Sequence, residues 1–329
     1  MNSPSLLRIR ALAAHEYRAA VRSRILLTLI GILTIATIGS VYVAAAAHRS
    51  EVADYQSYKA AATASGITHI APSALAPMSL LRGAFEYLQI IGAVIAVTLG
   101  YLTVQRERAN RTLPLLRSRP VTAGEQATGS LLGAAALIGT IVAVTGFVGV
   151  VCIGTIGNDW INASELVQLL LAYLVSIIYM TGFYALGVAC SARARHPVNG
   201  LIAALCVLVL FVLVTPQIGD TLDADNQIPG GLFKALGMNR GDETTILSHF
   251  SIYETLRTRI EWISFSQHYQ RFVFAMADVK ERYRPLDLGG LLHVVWTDLA
   301  WVIAAPAALI ALQRRALRNQ PTIPQGATT

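Results

Sequence analysis

Residues that could carry out chemistry are few in this sequence, and their spacing matches no common catalytic pattern. Hydrolysis of ATP requires a glycine-rich loop that ends in Gly-Lys-Ser or Gly-Lys-Thr, because backbone amides and the lysine hold the phosphates. The chain has only the lysines Lys59, Lys234 and Lys280, and none of them follows such a loop. It also has no His-Glu-x-x-His zinc helix and no Gly-x-Ser-x-Gly nucleophile turn. The sequence therefore predicts a chain that is not an enzyme, with an enzyme of unrecognised chemistry as the alternative.

The three cysteines, Cys152, Cys190 and Cys206, also lack the spacing of a metal site. Each lies within or at the edge of an apolar run, with no Cys-x-x-Cys pair and no histidine placed to complete a set of ligands. We expect them to be buried small apolar residues. We predict no metal and no cofactor in this chain.

The composition is too apolar for a soluble protein of this length. Of the 329 residues, 54% are hydrophobic and 14% are charged, whereas a soluble domain has about 25% charged residues. A helix needs about 20 apolar residues to cross a bilayer, and unpaired backbone groups are not tolerated there. The sequence therefore predicts an all-α integral membrane protein with six transmembrane helices. The predicted spans are residues 25–47, 83–104, 128–156, 166–190, 198–215 and 291–312.

Basic residues are concentrated in four segments outside the predicted spans. These segments are residues 1–24, 105–127, 191–197 and 313–329. Because loops that remain in the cytoplasm are enriched in Lys and Arg, we predict that these segments and both termini are cytoplasmic. Segments 48–82 and 216–290 are then extracytoplasmic, in a bacterial inner membrane. The net charge of +7 reflects the concentration of basic residues in the cytoplasmic segments. We therefore predict the lipid bilayer as a partner and do not predict nucleic acid.

Residues 1–24 have the pattern of a helix with two different faces. An apolar stripe runs through Leu6, Ile9 and Ala13, and a cationic face contains Arg18 and Arg22. This pattern is typical of an interfacial helix that lies on anionic lipid. A solvated helical extension of the first span is the alternative.

The segment 105–127 mixes leucines with arginines. A short helix with leucines on one side and arginines on the other suits docking in a groove of a cytoplasmic partner. The alternative is an ordinary loop whose charges only set the topology. After Pro120, Thr122 and Glu125 have the spacing of a capping box, which predicts the start of the third span.

Two acidic residues lie in or near the predicted spans. Asp298 lies within the last span, and Glu86 lies near the outer end of the second. Ionisable groups at membrane depth are costly and are therefore candidates for function. Both residues could belong to a pathway or gate, or to an interfacial belt with aromatic residues such as Trp301.

Three motifs lie in the N-terminal segment, in segment 105–127 and before the last span. The first is His15-Glu16-Tyr17-Arg18 followed by Arg22-Ser23-Arg24. The second is the run QRERANRTLPLLRSRPV from Gln105 to Val121. The third is Ile263-Ser264-Phe265-Ser266 with Tyr269, where Phe265 stands in place of a proline. Together with the six spans, these motifs resemble the type-2 ABC exporter permeases, and the chain is also similar to permeases of copper-enzyme maturation systems.

The resemblance implies a membrane-spanning permease of an ATP-binding-cassette transporter, with ATP and Mg²⁺ bound by a separate ATPase subunit. Two permeases, identical or paralogous, would work with two cytoplasmic ABC ATPase subunits. A coupling helix would fit a groove on the ATPase, with a smaller second contact in segment 191–197. The residues implied for these contacts are Glu107, Arg108, Arg111, Thr112, Leu113, Leu116, Arg193 and Arg195. The residues implied for the interfacial helix are Glu16, Arg18 and Arg22.

The segment 216–290 departs from the family pattern because its length is about 75 residues. Its apolar faces, at Ile252 to Ile263 and at Tyr269 to Val279, need a cover, which could be the bundle, a second subunit or an extracytoplasmic partner protein. Export of a lipid, drug or peptide-like substrate is the first functional hypothesis. The second is a permease that transmits conformational change or a ligand to an extracytoplasmic partner. A membrane anchor or assembly scaffold is the third.

Overall fold

The protein is described by a computed structural model. It describes residues 4–64, 77–109, 122–157, 160–222, 252, 255–256, 259, 262–279, 283 and 286–319. Within these ranges the chain is helical and contains no strand. The α-helices are α1 (Pro4–Val21), α2 (Arg24–Ala64), α3 (Arg82–Tyr87), α4 (Ala93–Ala109), α5 (Ala123–Cys152), α6 (Ala163–Arg193), α7 (Pro197–Val209), α8 (Thr215–Leu222), α9 (Phe265–Met276) and α10 (Leu288–Arg318).

Six helical stretches in the described ranges are long and apolar enough to cross a membrane. They are Leu27–Ala47, Pro77–Ala109, Ala123–Thr155, Ala163–Arg193, Pro197–Ile218 and Leu288–Arg318. The prediction of an all-α membrane protein with six spans is therefore confirmed. The second and fifth stretches contain π-helical turns at Leu88–Gly92 and Leu210–Val214, and a further π-helical turn at Ile153–Gly157 overlaps the end of the third.

The central helix of the bundle is α6. It packs along α4 and α10 and also contacts α5, α7 and α9. At the crossing of α4 and α6 stand Gly100 and Gly187, and a side chain at either position would meet the backbone of the other helix. Small residues at such a crossing let two membrane helices approach closely. The large side chains Tyr179, Phe183 and Tyr184 of α6 fill the core around it.

The N-terminal helix α1 lies along the start of α5. A Cβ atom at Gly133 of α5 would lie 2.5 Å from the backbone oxygen of Ala13, and one at Gly129 would lie 2.6 Å from the Cβ atom of Leu12. The Gly-x-x-x-Gly pattern of α5 is therefore the surface on which α1 packs. Leu6 and Leu7 of α1 are 58% and 55% exposed, so this helix also presents apolar side chains outward.

The end of α2 and the start of α5 can be compared with the limits that the sequence predicted. The helix α2 contains the first span and continues to Ala64, so residues 48–64 are helical. Its second half is rich in alanine, which has the highest helix propensity. At the start of α5, Thr122 is the N-cap and forms a reciprocal capping box with Glu125, as the sequence predicted.

Part of segment 216–290 is described, and the bundle covers the helix α9 within it. The helix α9 packs against α6 and α10, and its Tyr269 and Phe272 are almost completely buried. Of the three covers considered for this face, the bundle itself is the one observed. Ile252 and Ile263, in contrast, are 72% and 68% exposed.

The cysteines are not all buried. Cys152 is buried as predicted, but Cys190 is only partly buried and Cys206 is exposed on α7. The prediction is therefore wrong for Cys206. The physical reason is that an apolar side chain at membrane depth can face lipid as readily as protein.

Candidate functional site

One end of the bundle gathers charged side chains from several helices. This end, called the terminal end, comprises α1, the last turns of α4, α6 and α10, and the first turn of α5. Contacts link the described parts of segments 1–24, 105–127 and 191–197, and the end of α10 in segment 313–329 lines a cavity together with α1 and α5. An ion pair of 3.1 Å between Arg8 Nη2 and Glu125 Oε1, for example, joins α1 to α5.

The side chain of Arg108, at the end of α4, caps the end of α6. Its Nη1 donates hydrogen bonds of 2.9 Å to the backbone oxygens of Ala194 and Arg195. Its Nη2 donates to the backbone oxygens of Ala192 at 2.9 Å and Ser191 at 3.3 Å. The last carbonyls of a helix have no partner inside the helix, and a cation is favourable there. Arg108 therefore holds segment 191–197 against the end of the second span.

A buried carboxylate joins α1 to α4 on the other side of the terminal end. Glu16 is 8% exposed, and its Oε1 accepts hydrogen bonds of 2.6 Å from Thr103 Oγ1 and from Arg106 Nη2. The Thr103 hydroxyl also lies 3.4 Å from the hydroxyl of Tyr184 on α6. A buried charge is tolerated only when it is paired and hydrogen-bonded, so this network determines where α1 sits.

The side chain of Glu107 links the end of α4 to the start of α5. Its Oε1 accepts a hydrogen bond of 2.8 Å from Nε2 of Gln126. The two ends of segment 110–121 are therefore held next to each other. The predicted coupling residues Arg111, Thr112, Leu113 and Leu116 fall in this segment and lie outside the described residues.

The other predicted residues of the terminal end are exposed. Arg193 and Arg195 have exposed side chains, and Arg195 contributes its backbone oxygen to the contact with Arg108. Arg18 is exposed on α1, and Arg22 is exposed in the turn that follows this helix. The structure therefore brings Glu16, Glu107 and Arg108 into contacts between helices and leaves the side chains of these four arginines at the surface.

A cavity of about 370 Å³ opens at the terminal end. It is lined by Ile9 of α1, by Thr122 and Glu125 at the start of α5, and by Arg314 and Arg318 at the end of α10, among others. Both arginines have exposed side chains. This end of the bundle therefore presents positive charge beside the point where segment 105–127 meets α5.

The two acidic residues predicted at membrane depth have separate partners. Glu86 accepts a hydrogen bond of 3.0 Å from Arg82 of the same helix, and this ion pair is exposed. Asp298 is 8% exposed, and its Oδ1 lies 2.6 Å from Nδ1 of the fully buried His268. Trp301, a residue of the aromatic belt that the sequence offered as one alternative, stacks on His268 with ring centroids 5.5 Å apart.

A second buried polar cluster ties α9 to the second and fourth spans. Nε2 of Gln89 donates a hydrogen bond of 2.6 Å to Oγ of Ser266, and the hydroxyl of Tyr179 donates one of 3.1 Å to the backbone oxygen of Gln89. The hydroxyl of Tyr269 lies 2.8 Å from Oγ of Ser176. Burial raises the pKa of the Tyr269 phenol, so this group stays neutral and serves only in hydrogen bonding.

Sequence reasoning missed several members of these clusters. Thr103, Gln126, Gln89 and His268 are single polar residues in apolar or mixed surroundings, and their partners are distant in the sequence. The one usable signal was the motif Ile263-Ser264-Phe265-Ser266 with Tyr269, which brackets His268. No group of three or more His, Cys, Asp or Glu side chains that could hold a metal ion occurs among the described residues.

The fold and its charged end define the class of this protein as a multi-pass helical membrane protein. Residues 10–317 match the family model described as ABC-2 family transporter protein. The chain therefore belongs to the ABC-2 family of transporter membrane proteins, and it is an ABC transporter permease subunit. Permeases of this family typically work with ABC ATPase subunits and are generally not catalytic themselves. A search of curated proteins finds no match to this chain.

Proposed function

We propose that this chain is the permease of an ATP-driven exporter in the bacterial inner membrane. The terminal end faces the cytoplasm and docks on ABC ATPase subunits that bind ATP and Mg²⁺. The basic residues gathered at this end support that orientation, because positive charge is retained on the cytoplasmic side. The exported substrate is a lipid, a drug or a peptide-like molecule.

The observation that carries this proposal is the contact between Arg108 and the end of α6. Segments 105–127 and 191–197 are the two sites at which the ATPase is proposed to bind. Arg108 and the Glu107–Gln126 hydrogen bond attach these segments to the second, third and fourth spans. A displacement of the docked ATPase would therefore be transmitted to three spans at once.

A second copy of the permease, identical or paralogous, completes the proposed transporter. The first and fifth spans support this, because they leave much of their apolar surface exposed, including Ile35 at 73% and Ile202 at 55%. These surfaces would face lipid or the second permease. Large exposed apolar surfaces of this kind mark contacts with a membrane or with protein.

The proposal is tested by purification of the chain from its native membrane in mild detergent. We expect mass spectrometry to find stoichiometric ABC ATPase subunits and the complex to hydrolyse ATP. Arg111→Glu or Glu107→Arg should abolish either the association with the ATPase or the hydrolysis of ATP by the complex, while the bundle stays folded. Arg49→Glu, at an exposed position on α2, is the matched charge-reversal control and should have no effect. An intact bundle with no ATPase would contradict the proposal and favour a membrane anchor or scaffold.

A second candidate function is transmission to an extracytoplasmic partner protein. It is favoured by the continuation of α2 to Ala64, beyond the apolar stretch that ends at Ala47, and by the exposed Ile252 and Ile263. Both features would offer a partner a surface beyond the membrane. Co-purification of a secreted protein that is lost with Ile252→Ser and Ile263→Ser, but not with Ile35→Ser within the first span, would support transmission over simple export.

A further inference from the structure

The buried histidine between α9 and α10 has an oxygen atom facing each of its ring nitrogens. His268 is 0% exposed. Its Nδ1 lies 2.6 Å from Oδ1 of Asp298, and its Nε2 lies 3.0 Å from the backbone oxygen of Trp262. The site lies in the half of α10 that is remote from the terminal end. It is not part of the proposed coupling contacts.

These two contacts determine how many protons the site holds. A neutral imidazole has one N–H and one lone pair. The backbone oxygen of Trp262 can only accept, so Nε2 must carry hydrogen. Nδ1 and Asp298 must then share one more proton, either as imidazolium with carboxylate or as imidazole with carboxylic acid. Without this proton the lone pair of one ring nitrogen would face an oxygen in a buried site, which is unfavourable.

Aromatic rings enclose the histidine, and a cation lies near the carboxylate. The ring of Trp301 is stacked on His268 with an interplanar angle of 6°, and the ring of Trp262 meets it edge-on at 5.8 Å. Aromatic faces attract a neighbouring cation. Arg271 Nη1 lies 4.0 Å from Oδ1 of Asp298, and the side chains of these two residues are 27% and 12% exposed. The histidine ring is thus enclosed, and the carboxylate is only slightly exposed.

Other ionisable groups on the neighbouring elements are engaged elsewhere or lie at the surface. Arg82 and Glu86 of α3 pair with each other, and the hydroxyl of Tyr179 on α6 contacts Gln89 and Ser266. His293 of α10 has an exposed side chain. Among the described residues, Asp298 and Arg271 are therefore the charged groups in contact with the site.

We propose that His268 and Asp298 form a single-proton binding site that fastens α9 to the last span. With the proton bound, the two hydrogen bonds hold α9 and the backbone of Trp262 against α10. Loss of the proton makes the contact of His268 with either Asp298 or Trp262 repulsive, and α9 then separates more readily from α10. The site therefore adds sensitivity to proton concentration, independently of the proposed coupling to an ATPase.

Hydrogen exchange of the full chain in lipid nanodiscs tests this proposal across pH 5 to 9. The exchange rates of α9 amides are divided by the intrinsic rates of the unfolded peptide. Between the pH at which the open form releases the proton and the higher pH at which the closed form releases it, the opening equilibrium of α9 should rise by up to about tenfold per pH unit, and at higher pH it should level off. The first turns of α5, which lie at the terminal end, should show no such change. A corrected rate for α9 that is independent of pH would overturn the proposal.

The variant Asp298→Asn separates the proton from the packing. The asparagine amide can donate to Nδ1 of a neutral His268, whose Nε2–H still donates to Trp262, so every hydrogen bond forms without the extra proton. We expect α9 to stay protected and to lose its pH dependence. The control variant Glu86→Gln should retain the pH dependence of α9 exchange. If α9 exchange in Asp298→Asn still changed with pH as in the unmodified chain, the proposal would be overturned.

A spectroscopic measurement on the unmodified chain covers the case in which that variant does not fold. Histidine ¹⁵N resonances report the ring hydrogens, with His268 assigned by its absence in His268→Gln. Infrared spectra report whether the carboxyl of Asp298 is protonated. At pH 5 we expect either a doubly protonated ring or a protonated carboxyl. A singly protonated ring beside an ionised Asp298 would contradict the proposal.

Discussion

The guanidinium of Arg108 donates a hydrogen bond of 2.9 Å to the backbone oxygen of Ala194, and so the second span is tied to the end of the fourth. Arginine can do this because its planar head has five N–H donors. One side chain thereby satisfies several carbonyls at the end of α6. The contact lies where the two proposed ATPase contacts meet, so its loss should affect both stability and coupling.

Replacement of Arg108 should lower the stability of the bundle. Arg108→Gln removes the charged donors and should cost about 2 kcal/mol in total, because hydrogen bonds to charged groups contribute about 1.5–3 kcal/mol when buried and the partial exposure of this guanidinium reduces that contribution. Arg108→Lys retains the charge but not the forked geometry, and should be intermediate. Thermal unfolding in the same detergent measures the loss of stability in both variants. Arg195→Gln is the control, because Arg195 contributes its backbone oxygen; an equal loss there would contradict the role of the Arg108 side chain.

The Glu16–Arg106 ion pair should be energetically coupled. Removal of one partner of a buried pair costs about 3–5 kcal/mol, and the partial exposure of Arg106 should place the cost near the lower limit. A double-mutant cycle with Glu16→Gln, Arg106→Gln and both together should give a coupling energy of about 1–2 kcal/mol. The exposed pair Arg82–Glu86 is the comparison and should give less than about 1 kcal/mol. Additive single variants at Glu16 and Arg106 would refute this prediction.

A side chain at Gly133 should displace α1 from the bundle. A Cβ atom there would lie 2.5 Å from the backbone oxygen of Ala13 and 2.8 Å from Cβ of Glu16, so Gly133→Val requires the helix to move. We expect weaker cross-linking by a short bifunctional maleimide between cysteines introduced at Tyr17 and Thr140, whose hydroxyls lie 3.4 Å apart. Gly139→Val is the matched control in the same helix, because a Cβ atom at Gly139 meets only a side-chain atom at 3.8 Å. Equal cross-linking in both variants would contradict the observed packing.

The proposed orientation predicts which residues are labelled from each side of the membrane. In a chain with its native cysteines replaced, a cysteine at Asn319 should react only after the membrane is permeabilised. A cysteine at Trp160 should react with an impermeant reagent added to spheroplasts. Three of the six stretches separate these positions, so they must lie on opposite sides. Labelling of a cysteine at Asn319 in intact spheroplasts would contradict the proposed orientation and indicate the opposite one.

The sequence by itself determined the six spans and the start of α5. Length and apolarity are properties of a single segment, and the cost of unpaired backbone groups in lipid leaves helices as the solution for such segments. The capping box of Thr122 and Glu125 is likewise local, because both partners lie within one turn. The family motifs were readable for the same reason.

Only the tertiary structure decided which polar residues meet. Arg108 and Ala194 are 86 residues apart, Thr103 and Glu16 are 87 residues apart, and neither pair has a spacing that a local pattern could reveal. His268 gave no signal of its own because its environment depends on Asp298 of another helix. Helix packing brings such groups together, and in a low-dielectric interior each buried polar group is then stable only with the partner that this packing supplies.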